Sequence, residues 1–239
     1  MIIIPMAGKS SRFFEAGYTL PKYKLPLNGK TVFAEAVCSF KKYFHTDFFL
    51  FITRSDYGAR DFVKKECLSL GINNFEIVKL DEDTRGQADT VKIGLEKSKL
   101  SINEEMYIFN IDSIRINFIK PTSIFLQNTA GYLEVFKGDG EHWSFIEALP
   151  NNFVKRTTEK IRISDLCSNG LYYFSSTKIF KQFFTHFEKI NEYGELFLAP
   201  IYNILINNKL NVKYVLLEKD QTLFSGTPKE YEDLKKKYK

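Results

Sequence analysis

At 239 residues and 44% hydrophobic side chains, the chain can bury a sizeable core as one large domain or as one domain with an elaborated lobe. No stretch approaches the roughly eighteen consecutive apolar residues of a membrane helix, and the apolar opening Met1 to Ile4 lacks the basic flank and cleavage site of a signal peptide, so a cytoplasmic protein without a membrane partner is expected. The net charge of +5 comes from 34 basic against 29 acidic residues and owes much to Lys235, Lys236, Lys237 and Lys239, so it does not call for nucleic acid.

Cys38, Cys67 and Cys167 are far apart, without metal-ligand or redox spacing, and are expected as reduced core or boundary residues. His45, His142 and His186 are too few and too scattered for a zinc site.

The run Ile2 to Ile4 is short enough only for a buried strand, and it breaks at once into Ala7-Gly8-Lys9-Ser10-Ser11-Arg12. A strand that enters a small-residue loop leaves backbone N–H groups free to face a phosphate chain, and Lys9 and Arg12 add charge. Pro21-Lys22 follows, then Leu25-Pro26-Leu27 and a turn at Asn28-Gly29-Lys30. Three cations around one such loop suggest a nucleoside triphosphate site; alone, the loop would read as a surface loop with scattered basic residues.

This opening resembles the signature of the sugar-1-phosphate nucleotidyltransferases: a small-Gly-x-Gly-x-Arg loop, then Pro-Lys and a short Leu-x-x-x-Gly stretch. The resemblance implies that Arg12 and Lys22 hold nucleotide phosphates and that Ala7, Gly8, Lys9, Ser10 and Ser11 form the nucleotide loop. Ser10 stands where the second glycine is usual, which narrows the backbone angles available there.

Beyond the loop, Val32, Phe33, Ala36, Val37 and Phe40 recur at helical spacing and predict a helix over 31–43. Residues 48–53 read as a buried parallel strand, 59–70 as a helix ended by Gly71, 75–80 as a strand, 87–98 as a helix and 106–111 as a strand. This alternation predicts an α/β sheet wound by right-handed crossovers. With the resemblance, the expected fold is a Rossmann-like three-layer mixed sheet with an inserted antiparallel acceptor-binding lobe. The expected division is one domain over 1–239, with the nucleotide part at about 1–120 and the acceptor part and closing helices at about 121–239.

Ligands of such sheets sit beyond the carboxyl ends of the strands. Two segments there carry chemistry. Residues 83–90 form a polar turn with one glycine that opens a helix. Read locally, this is a helix start with Asp83 or Thr84 as N-cap. The resemblance makes it the nucleobase segment, with Gly86 and Gln87 against the base. Phe109-Asn110-Ile111-Asp112-Ser113 ends a strand in a carboxylate that could hold Mg²⁺ against phosphate oxygens or simply cap a turn. The resemblance makes Asp112 the metal residue.

From about Pro121 the texture changes to short strands at 131–136, 144–149 and 153–156, with turns at Gly138-Asp139-Gly140 and Pro150-Asn151-Asn152. Thr158-Glu159-Lys160 and 167–174 resemble the family's acceptor segments, which implies Glu159 and Lys160 at the acceptor phosphate and Asn169 and Gly170 at the acceptor pocket. Helices are predicted over 176–190 and 194–207, with Glu195 at the start of the second, beside the acceptor or only complementing the helix dipole. A strand over 212–217 and a closing Gly226-Thr227-Pro228 turn into a last helix complete the chain. Many relatives carry a second metal aspartate two residues before that glycine; Phe224 occupies the position, and Asp220 is the nearest substitute.

The resemblance implies nucleotidyl transfer from a nucleoside triphosphate to a sugar 1-phosphate, with Arg12, Lys22 and Asp112 catalytic, Mg²⁺ as cofactor, and cell-surface polysaccharide synthesis as the setting. Asp81 or Asp83 near the base, able to accept from amino groups, favours CTP or GTP. The acceptor stays open: phosphocholine or another small non-sugar phosphate would suit the aromatic residues Trp143, Tyr172 and Tyr173. A related glycosyltransferase would want two carboxylates where Asn110-Ile111-Asp112 has one. A catalytically inactive nucleotide-binding regulator would explain Ser10 and Phe224. The oligomeric state is open, a homo-oligomer included.

Overall fold

The computed structural model describes residues 1–100 and 103–238, so Lys239 of the basic tail lies outside the described residues. In chain order the elements are β1 (Ile2–Met6), α1 (Ser11–Glu15), β2 (Pro26–Leu27), β3 (Lys30–Thr31), α2 (Val32–Cys38), β4 (Phe49–Arg54), α3 (Ala59–Ser69), β5 (Phe75–Leu80), α4 (Gln87–Lys97), β6 (Met106–Phe109) and β7 (Ser113–Arg115). Then come α5 (Ser123–Leu126), β8 (Thr129–Lys137), β9 (Ser144–Ala148), β10 (Val154–Glu159), β11 (Leu166–Phe174), α6 (Thr177–Ile190), α7 (Ile201–Asn207), β12 (Asn211–Leu217), β13 (Thr222–Phe224) and α8 (Pro228–Lys237).

A central strand buried on both faces reads as an unbroken apolar run, and β1 is that strand, fully buried and paired in parallel with β4 and β6. Proline cannot donate to a ladder. Pro5 is tolerated because pairing with β6 has ended at Ile3, and only β4 continues alongside it, which carries β1 on to Met6. The parallel set β5-β4-β1-β6 continues through antiparallel β11 into β9 and β10 on one side, while β8 and β12 join through β11, giving one nine-stranded mixed sheet.

The antiparallel strands are therefore an extension of the same sheet. Alternate residues of its strands feed two cores. Ile3, Leu50 and Ile52 face α4, α6 and α7, and Ile2, Phe49 and Phe51 face α2 and α3, which makes three layers. Helix α6 shows how the sequence builds a layer: Ser176 accepts from the Ile179 amide at 3.1 Å as N-cap, and Phe180, Phe183, Phe184 and Phe187 form one buried stripe.

Two helical expectations are corrected. The helix expected over 31–43 ends at Cys38, where bonding tightens to Ser39 N–H on Ala36 and Phe40 N–H on Val37, and a separate single turn covers Lys41–Tyr43. The helix expected over 194–207 begins only at Ile201, after Pro200. The residues before it form an irregular connection: the Leu196 amide donates to Arg85 at 2.7 Å, and its carbonyl accepts from Ala88 at 2.9 Å. Tertiary bonding to the 85–88 segment outweighs the helical pattern there, so Glu195 sits in that connection and not at a helix start.

Candidate active site

A cleft of about 530 Å³ opens beyond the carboxyl ends of β1, β4 and β6. Its floor is the loop after β1. Ser10 has φ 55° and ψ 26°, the left-handed region where glycine is usual, and its hydroxyl accepts the Lys22 amide at 3.1 Å. The serine thus ties the loop to Pro21-Lys22, a compensation that a glycine could not offer. Ala7, Gly8, Lys9 and Arg12 line the cleft, whereas Ser11 opens α1 on the exposed side. Arg12 has no ion-pair partner among the described residues, so its charge is unspent.

The Lys22 ammonium reaches across to Asp112 Oδ2, a partly exposed ion pair that lines the same cleft. Asp112 is held from behind: Ser225 donates to its carbonyl through the amide at 2.8 Å and the hydroxyl at 3.1 Å, because β13 pairs antiparallel with β7 directly after it. Gly226 then lies so close that a Cβ there would stand 3.0 Å from Asp112 Oδ2 and 3.5 Å from Glu230 Oε2. Glu230, three residues into the cap of α8, accepts from the Thr227 amide at 2.8 Å and lines the cleft. Asp220 is exposed and outside the cleft walls, so the carboxylate that accompanies Asp112 is Glu230. The Thr-x-x-Glu capping pattern was legible; that it would face this site was not.

The turn over 83–90, expected to meet the nucleobase, is equally constrained. Gly86, with φ +140°, is the N-cap of α4 in place of the expected Asp83 or Thr84, and an added Cβ would meet Leu196 N and O at 2.6 Å. Arg85 anchors the turn through its amide and guanidinium on Asp89 at 3.0 and 2.7 Å. Burial pushes the Asp89 carboxyl up, but these bonds prevail and hold it below the usual carboxylate range. Gln87 donates its amide to Asn110. Asp83 instead pairs with Lys9 at 2.6 Å and with Arg54 at the end of β4, whose hydrogen bonds pull its carboxyl below the usual range. Asp81 pairs with Lys79 at 2.9 Å and does not line the cleft. Arg54 lines the cleft and was missed in the sequence, though a cation ending a buried strand beside the loop is a signal of this kind.

Gly86→Ala is expected to cost about 1–3 kcal/mol, since the clash is with fixed backbone, and to raise the KM for nucleotide. Thermal denaturation and steady-state kinetics would check it.

At the opposite end of the cleft, Glu159 is 8% exposed at the end of β10 and accepts from the Ser144 hydroxyl, its cross-strand neighbour. Burial first, and the Glu195 charge after it, push its carboxyl up. Glu195 and Gly170 also line this end. Asn169 borders the cleft, but its side chain is spent internally: its amide donates to Glu134 at 2.8 Å, and its oxygen accepts the Leu171 amide at 2.9 Å. Lys160 stands outside the walls with its ammonium 4.5 Å from the ring centre of Phe197, which does line them. Phe224, in place of an acid, packs against Trp143 at 4.7 Å and Phe136 at 5.1 Å.

A mixed sheet with a small-residue loop and a carboxylate at neighbouring strand ends is an arrangement that can receive a phosphorylated ligand. No family model and no curated protein matches the chain. Among solved structures, the nucleoside-diphosphate-sugar pyrophosphorylase from Vibrio cholerae RC9 is 44% identical over 99% of this chain and 100% of its own, with a TM-score of 0.93. An inositol-1-phosphate CTP transferase from T. maritima is 16% identical over 99% of this chain and 94% of its own, with a TM-score of 0.75, and shares the fold. A UDP-glucose pyrophosphorylase complexed with UDP-glucose shares it too, at 15% identity, 99% and 97% coverage and a TM-score of 0.75. The chain belongs to the sugar-1-phosphate nucleotidyltransferase family.

Proposed function

We propose that the protein joins a nucleoside triphosphate to a sugar 1-phosphate or a similar small phosphate and releases pyrophosphate. The observation that carries this reading is the Lys22–Asp112 pair lining one cleft with Arg12, which has no ion pair among the described residues. An oxygen of the acceptor phosphate forms the new bond to the α-phosphorus while the bond to the bridging oxygen breaks, and pyrophosphate leaves with that electron pair. The attacking oxygen is already anionic, so no protein nucleophile or histidine base is required. Positioning and charge neutralisation do the work.

In this division Arg12 and Lys9 hold the departing pyrophosphate portion, and the backbone of Ala7 and Gly8 faces the phosphate chain. Lys22 exchanges the Asp112 carboxylate for substrate phosphate and steadies the α-phosphate and the acceptor phosphate. Gly86 and Gln87 bound the base, and Glu159, Gly170 and Glu195 bound the acceptor; Asn169 acts as a positioning residue.

Two carboxylates beside the space that a Cβ on Gly226 would fill suit a hard divalent cation that takes its remaining ligands from phosphate and water. We assign Asp112 and Glu230 to hold Mg²⁺, which when bound supplies neutralisation of the phosphate oxygens. Asp83 at the cleft favours CTP or GTP through base amino groups, once Lys9 turns to phosphate. Consumption of a nucleoside triphosphate fits the cytoplasm, and an activated sugar fits cell-surface polysaccharide synthesis.

Calorimetric titration with ATP, CTP, GTP, UTP and dTTP in the presence of Mg²⁺ tests the reading without knowledge of the acceptor. One nucleotide is expected to bind clearly better than the rest, and Arg12→Ala to weaken it at least about tenfold, as loss of a charge-assisted phosphate contact implies. No binding by any of the five would put the inactive-regulator alternative first.

A further inference from the structure

The chain leaves β6 through Asn110, and the side chain of Asn110 is fixed on both flanks. On one flank its Oδ1 accepts the side-chain amide of Gln87, the first residue of α4. On the other it packs over Gly170: a Cβ built there would stand 2.6 Å from Asn110 Nδ2 and 2.7 Å from its Cγ, and Gly170 has φ +91°, a conformation that favours glycine. The main chain is tied as well, the Asn110 amide donating to the Gly170 carbonyl at 3.1 Å. Asn110 thus stands, in one orientation, between the start of α4 and Gly170 of β11.

This pairing leaves hydrogen-bonding capacity over. Nδ2 of Asn110 donates to none of the described residues, and Oε1 of Gln87 accepts from none, although both residues line the cleft. Turning both amides over exchanges their roles and leaves the same set, donors beside an acceptor. A neighbouring donor and acceptor, held in place by the bond between their own side chains, suit a group that accepts and donates at once, which is a hydroxyl. A phosphate oxygen only accepts, and the free carbonyl oxygen of the pair would repel it.

Position selects the hydroxyl. Under the proposed function Gln87 adjoins the base, and Asp112, two residues beyond Asn110, adjoins the α-phosphate. In a nucleotide the sugar lies between the two. We infer that the Gln87–Asn110 amide pair reads the hydroxyl edge of the ribose, so that the enzyme takes ribonucleoside triphosphates and rejects their 2′-deoxy forms. This rests on the nucleotidyltransferase reading and deepens it: the sugar of the nucleotide is set whichever base is used, and dTTP is ruled out as donor.

Calorimetric titration in the presence of Mg²⁺ compares ATP, CTP, GTP and UTP, each with its own 2′-deoxy form, together with dTTP. The ribonucleotide that binds best is expected to bind about tenfold or more tighter than its 2′-deoxy form, because the deoxy form leaves polar groups of the site unpaired. Asn110→Ala is expected to bring that ratio to within about threefold of one, mainly by weakening the ribonucleotide and leaving affinity for the deoxy form nearly unchanged, which a general collapse of the site would not do. Gln87→Ala, which frees the Asn110 amide to turn, is expected to reduce the ratio too, and it decides the matter if Asn110→Ala does not fold. A protein that binds nucleotide without a ribose preference, or binds dTTP best, overturns this inference alone. So does a preference that survives Asn110→Ala in a folded protein, or survives Gln87→Ala where Asn110→Ala does not fold. A protein that binds no nucleotide at all overturns the underlying reading with it.

Discussion

Lys22→Ala is expected to lower kcat by about 10²–10³-fold with the fold intact, the scale seen when one preorganised electrostatic contact to a transition state is lost. Asp112→Asn should fall as far, because it removes the charge that would hold the cation yet keeps the shape against which Gly226 packs. Neither change should unfold the chain. Both side chains are about one-fifth exposed, so an orphaned partner regains water, and a pair of this kind contributes only about 0–1 kcal/mol. Melting temperatures within a few degrees of the parent, beside a collapsed kcat, would separate this outcome from misfolding. Variants that both keep more than a tenth of the parent kcat would remove Lys22 and Asp112 from the chemistry.

Glu134→Leu should do the reverse and act on the fold. Glu134 and Arg115 are buried, joined at 2.8 Å, with Asn169 completing the carboxylate at 2.8 Å and reaching Thr222 at 3.3 Å. Burial pushes the Glu134 carboxyl up despite the pull of Arg115 and Asn169, so desolvation dominates this site. Removing one partner strands a buried guanidinium and should cost about 3–5 kcal/mol, which for a chain of this length means a melting temperature lower by roughly 10 °C. Exchanging both, as Arg115→Met with Glu134→Leu, should recover most of that loss, since a well-packed apolar pair is often no worse than an ion pair. Activity should recover less: the network ties β8 and the irregular stretch of β11 near Gly170 to β7 and β13, the ribbon that directly follows Asp112. A single variant as stable as the parent would show that the pair carries no structural load.

Periodicity and chain punctuation carried most of the fold. The run over 75–80 matches β5 at both ends, and the apolar stripe of 176–190 is α6 with its cap, because these elements bury a continuous face and their local pattern agrees with their tertiary setting. The segment 194–200 was misread because Leu196 spends its backbone on the Arg85–Ala88 turn, a bond that no local pattern announces. At the candidate site, the loop after β1, Lys22 and Asp112 stood out in the sequence, and the structure brings them to one cleft. Glu230 was hidden in a capping pattern with a sufficient local explanation, and Asn169 sits at the expected place while its side chain turns inward to Glu134. Whether a side chain at a cleft border faces the ligand or the core depends on the register shift in β11, which arises between strands and not within one.

The bonds from Ser225 to the Asp112 carbonyl span 113 positions of the chain. During synthesis, with the chain emerging at about 5–20 residues per second, β1, β4, β5 and β6 are available to assemble well before Thr222–Phe224 appear. A nascent chain can therefore possess the loop after β1 and the Asp112 residue while lacking the ribbon that holds it. Catalytic competence should arrive late and abruptly, as a clasp closing on a finished sheet, and a chain stalled before residue 222 should display the nine-stranded sheet with no turnover.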